Sequence, residues 1–92
     1  DSNTYINEYV YLGIAEEITE DGKVRIEQKN KFCVGDVIEI MKPDGRNVET
    51  KVEAIFDDKG VSVESAPHPQ QVLFLQLSET CEKYDLLRVK KM

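Results

Sequence analysis

Cysteine is scarce in this chain: Cys33 and Cys81 are its only two, and they form no Cys-x-x-Cys pair. Nothing in their spacing resembles a secreted disulfide framework, although a single bridge stays open geometrically. The expectation is two reduced thiols, Cys33 partly buried beside Val34 and Cys81 near a surface turn. Histidine is scarcer still, with His68 alone between Pro67 and Pro69. One histidine and two isolated cysteines fall short of a closed zinc site, so neither metal nor cofactor is expected. No apolar run approaches the roughly 20 residues of a membrane-spanning helix, and no signal peptide opens the chain. A cytoplasmic location without membrane contact is the expectation.

Catalytic signatures are missing too. There is no Gly-x-Gly-x-x-Gly, no Walker A loop, no His-Glu-x-x-His and no Gly-x-Ser-x-Gly. A pairing of His68 with Cys33 or Cys81 is the one nucleophile–base option, and no spacing favours it. No catalytic residue is assigned. Positive charge is in deficit: 12 Lys and Arg face 18 Asp and Glu, a formal charge of −6. Nucleic-acid modules usually carry the opposite sign, because phosphate contacts supply most of their affinity. An acidic domain binds RNA only through a local basic patch. Glu16-Glu17 and Asp57-Asp58 read as surface carboxylates that keep strand ends soluble.

What is present is strand pattern. Ninety-two residues make one domain. Residues 1–8 read as a linker and 9–92 as a single barrel domain. Because the first residue is Asp1, the chain is expected to be a piece of a larger protein. Tyr9 to Ala15 is aromatic and β-branched, a first strand. Asp21-Gly22 supplies a tight turn, and Val24-Arg25-Ile26-Glu27 alternates as a second strand. Together they predict an antiparallel hairpin. Gly35-Asp36 bends the chain into Val37–Met41, and Pro43-Asp44-Gly45 turns it again. Val48 to Phe56 alternates over most of its length and closes at Asp57–Gly60. Val61–Glu64 reads as a short strand or extended connection. Val72–Leu77 is the most apolar run and predicts a central strand. Ser78–Lys83 fits one helical turn capped by Ser78, and Leu86–Val89 a last strand. Six to seven short strands with turns between them predict an all-β protein. The architecture expected is a small antiparallel β-barrel, closed or partly open, since closure leaves few edges.

Two stretches carry candidate binding residues. Lys23 and Arg25 fall on one face of their strand, and Lys29, Asn30, Lys31 and Phe32 follow in the next loop. They predict a polar recognition patch, against the plainer reading of a solvated edge defended by lysines. His68 lies in Ala66-Pro67-His68-Pro69-Gln70-Gln71, stiff enough to dock at little entropic cost. Its plainer reading is a connection that crosses the barrel.

The order of these pieces resembles the C-terminal domain of the collagenase-like peptidase family U32. The resemblance is carried by Tyr11-Leu12-Gly13-Ile14-Ala15, by Val24 to Phe32, by Val34-Gly35-Asp36-Val37-Ile38-Glu39-Ile40, by Ala66 to Gln71 and by Asp85-Leu86-Leu87-Arg88. Residues 9 to 89 are covered. Cys33 stands where a small or apolar residue is usual, and the Pro-Gly that often precedes Asp-Leu-Leu-Arg is missing. The resemblance implies a barrel like the second domain of translation elongation factor Tu. It also implies a larger N-terminal part of the protein that holds the catalytic residues. Some family members are described as collagen-degrading proteases; others act in hydroxylating tRNA or ribosomal RNA with an iron–sulfur cluster. Cys33 and Cys81 do not match the cysteines of that cluster. The implied role is a non-catalytic accessory barrel that positions substrate or packs on its own catalytic domain; the alternative is an RNA-positioning domain.

Overall fold

The computed structural model describes residues 8–65 and 70–91. Eight strands follow in order: β1 (Glu8–Ile14), β2 (Glu17–Ile18), β3 (Val24–Glu27), β4 (Val37–Met41), β5 (Asn47–Phe56), β6 (Ser62–Val63), β7 (Val72–Leu77) and β8 (Leu86–Lys91). Period-two alternation sends one side of each into the core. Val24 and Ile26 point inward from β3, Ile38 and Ile40 from β4, and Leu73, Leu75 and Leu77 from β7. Phe32, buried to 2% exposure, plugs the same core from the loop after β3.

All pairings are antiparallel, in the order β1-β8-β4-β5-β7-β3-β2, with β6 added to β5. The two ends of that order, β1 and β2, are consecutive in the chain. A bend at Ala15 therefore closes the circuit: the segment before it pairs with β8 and the segment after it with β3. Ala15 is gripped at the bend, its N–H donating to Asp85 O at 2.8 Å and its carbonyl accepting from Tyr84 N–H at 2.7 Å. Across the seam Lys29 N–H donates to Leu12 O at 2.9 Å. No ladder joins β1 to β3 among the described residues, so the barrel is partly open. Gly13 sits at a close approach across the seam, since a Cβ there would meet Glu27 O at 2.9 Å.

Several sequence expectations change. The strand over Tyr9–Ala15 does not form a hairpin with Val24–Glu27; its partner is β8, and the Asp21-Gly22 turn joins β3 to the two-residue β2. Ser78–Lys83 forms no helical turn. The Ser78 hydroxyl accepts from Lys51 N–H at 2.9 Å and contacts the buried Thr50 hydroxyl at 3.1 Å, so it is engaged with β5 and does not cap a helix. The cysteines exchange places: Cys33 is exposed and Cys81 buried. Tyr84 adopts φ 76°, a left-handed conformation that glycine takes without strain, at the position just before Asp85-Leu86-Leu87-Arg88.

Candidate functional site

The basic stretch does not come together as one patch. Lys23 and Lys29 stand at opposite ends of β3, separated by about 20 Å of extended chain. Each cation near β3 also has a carboxylate beside it. Lys23 pairs with Asp21, Lys29 with Glu27 at 3.1 Å, and Arg25 lies 3.9 Å from Glu16. Hydrogen bonds from Lys23 and then Thr19 hold the Asp21 carboxyl down at about 2, so this partner stays ionised. Lys31 is exposed and makes no hydrogen bond or ion pair among the described residues. Asn30 is a latch: its Nδ2 donates to Tyr11 O at 2.6 Å, across the seam. Phe32 faces the core and not the surface. His68 lies outside the described residues.

A second feature escaped the sequence reading. The register between β5 and β7 shifts between Val52 and Ala54, the mark of a β-bulge. Before the bulge Thr50 and Val52 face inward; after it Ile55 does. The extra residue reverses the alternation and turns Phe56 to the outer surface, as bulges commonly re-aim a side chain. There Phe56 lies directly opposite Phe74 of β7. Phe74 in turn pairs with Arg25 of β3, and the Lys23 ammonium stands 5.0 Å above the Phe56 ring. An outward row of Arg25, Phe74 and Phe56 thus crosses three strands, with Lys23 over its end. Both rings are half-buried. They floor a cavity of about 340 Å³ whose rim is formed by Thr19 and Asp21 on one side and by Asp57 and Asp58 on the other. For Phe74 a signal existed, because it alternates away from Leu73 and Leu75. For Phe56 there was none, because the bulge is a property of the pairing.

The cluster around Asp85 is structural. Asp85 is 1% exposed and its Oδ2 accepts from Lys42 Nζ at 2.6 Å and from Glu82 N–H at 2.8 Å. Cys81 lies beside it, and burial first, then the Asp85 charge, pushes the thiol up to about 12. At neutral pH that sulfur is a protonated thiol and a poor nucleophile. Leu87 is core, and Arg88 pairs with Glu39 at 2.8 Å while its guanidinium stacks 3.6 Å over Tyr9. Among the described residues no three His, Cys, Asp or Glu side chains come together as metal ligands, and no helix is long and apolar enough to cross a membrane.

Residues 7–88 match the model of the peptidase family U32 C-terminal domain. Among curated proteins the chain is 29% identical over 84 residues to tRNA hydroxylation protein P1 of Bacillus subtilis, covering 90% of this chain and 20% of that protein. It is 33% identical over 60 residues to tRNA hydroxylation protein P of Haemophilus influenzae, covering 65% of this chain and 13% of that one. The chain thus spans a fifth or less of the curated relatives it matches. Among solved structures it is similar to the C-terminal domain of a Geobacillus thermoleovorans protein assigned to the U32 peptidases, with a TM-score of 0.76, 24% identity and coverage of 90% of this chain and 93% of that one. The selenomethionine variant of the same domain gives a TM-score of 0.72 at 27% identity, covering 88% and 98%.

Proposed function

This chain belongs to the family of peptidase U32 C-terminal domains, and from that premise we propose that it is a non-catalytic accessory barrel that positions an RNA substrate for the catalytic part of a longer protein. The observation that carries this reading is the outward row of Arg25, Phe74 and Phe56 with Lys23 above it. Aromatic faces stack unpaired bases, and flanking cations meet the phosphates between them. The curated relatives are tRNA hydroxylation proteins, which favours RNA over a collagen-like peptide as the substrate. In this reading the catalytic step belongs elsewhere in the parent, and the buried Cys81 thiol, held protonated, plays no part in it.

An accessory domain also needs a surface for its parent. On the other half of the barrel Tyr9, Tyr11 and Val37 are exposed, and Arg88 is fixed against Tyr9 by Glu39. Tyr and Arg are the side chains enriched where proteins meet. That half is the docking face in this reading.

The test is to record amide spectra of the isotope-labelled domain while structured tRNA is added, first at low and then at physiological salt. The solved relatives are chains of nearly the same extent, so the domain is suited to study in isolation. Shifts at Lys23, Arg25, Phe56 and Phe74 that weaken as salt rises are expected. Their absence at both salts overturns the RNA role and leaves docking alone.

A further inference from the structure

Resting on the RNA reading above, we propose that the cavity over Phe56 and Phe74 holds a single guanine turned out of its stack. A volume of about 340 Å³ lies at the lower end of the roughly 300–1,000 Å³ typical of small-ligand sites. That suits one base better than a pair of nucleotides. The two rings are cross-strand neighbours that both line the cavity, and with the Lys23 ammonium over Phe56 it is Phe74 that offers a base its stacking face.

The rim selects among bases. Asp57 is committed to its own turn: its Oδ1 accepts from Lys59 N–H and Val61 N–H, each at 2.9 Å. That leaves Asp58 on the rim with a carboxylate that makes no hydrogen bond or ion pair among the described residues. Opposite in charge, Lys23 is held over the Phe56 ring and ion-paired with Asp21, which lines the same cavity. The cavity therefore offers an acceptor with two oxygens and a separate cationic donor. Guanine is the base that answers both. Its N1–H and N2–H groups stand side by side and can fork onto one carboxylate, while O6 and N7 accept from an ammonium. Uracil has one N–H between two carbonyls, and adenine and cytosine each place an amino group next to an acceptor. The Asp58 charge also keeps phosphate out of the cavity, so the backbone must run outside it, past Arg25 beside Phe74.

The experiment compares short single-stranded RNAs on the isolated labelled domain: oligouridine, oligouridine with one central guanosine, and the same with inosine, which lacks the N2 amino group. The guanosine strand is expected to bind at least tenfold more tightly than oligouridine, with inosine between them. Asp58→Asn, an exposed isostere, should reduce the guanosine preference below threefold and leave the amide spectrum of the free domain unchanged. Phe74→Ala should weaken all three strands. Equal affinity for guanosine and uridine strands, with structured tRNA still shifting the Lys23 and Phe74 amides, overturns the guanine site and leaves RNA positioning standing. No shift with any RNA removes both. Saturation of the cavity by an arginine-rich peptide, with no response to RNA, reassigns it to a cationic protein partner and also overturns the proposal.

Discussion

At the residue scale the most consequential side chain outside the cavity is Asp85, a buried carboxylate whose partners are Lys42 and the Glu82 N–H. Removing one member of a buried ion pair leaves the other unpaired, so Asp85→Ala should cost roughly 3 kcal/mol in urea unfolding at pH 7. The pair also sets an alkaline limit. The hydrogen bond from Lys42 to Asp85 raises the ammonium above its ordinary 10.5. The unfolded chain releases that proton first, so the stabilisation is complete below pH 10.5 and is lost as pH rises through the native value. Cys81 acts in the same direction, because its thiol is raised from 9.0 to about 12 and the unfolded chain ionises first above pH 9. Thermal melting should therefore fall steeply above pH 9, and less steeply in Asp85→Ala, which has lost the lysine contribution. None of this was legible in the chain, where Lys42 and Asp85 stand 43 positions apart. The cysteines were misplaced for the same reason: Val34 beside Cys33 is itself exposed, whereas Cys81 is covered by the chain packing around Asp85.

The strands show where local pattern suffices and where pairing decides. Alternation was enough to locate β3, β4, β7 and β8, because each has one apolar face and turn residues at its ends. It misassigned the first hairpin. Tyr9–Ala15 and Val24–Glu27 flank an Asp-Gly turn, but the bend at Ala15 uncouples them and hands β1 to β8. Gly13 is what lets β1 and β3 approach at the seam. Gly13→Ala places a methyl 2.9 Å from Glu27 O, at a φ of 154°. It should lower stability by about 1–3 kcal/mol, typical of overpacking. The check is the urea midpoint; an unchanged slope would show that the denatured state is not involved.

For the molecule as a whole, a charge of −6 limits how it can hold RNA. With Lys23 taken up by the base inside the cavity, Arg25 is the cation beside the aromatic row that meets the backbone, so about one phosphate is neutralised. A plot of log K against log salt should then have a slope near −0.7, at roughly −0.7 per phosphate for a single strand. A much steeper slope, measured by anisotropy from 50 to 300 mM salt, would point to the Lys29–Lys31 loop as a further contact. Composition, alternation and turn residues by themselves determined that this is a small all-β domain, and the motif order from Tyr11 to Arg88 placed it in its family. Those features are local, or are linear strings along the chain, and survive without knowledge of the fold. The tertiary structure alone decided that the basic stretch divides in two, that Phe32 belongs to the core, and that Phe56 stands outside beside Phe74. The reason is physical: one additional residue in β5 reverses which face every later side chain takes, and only the partner strand reveals that it is there.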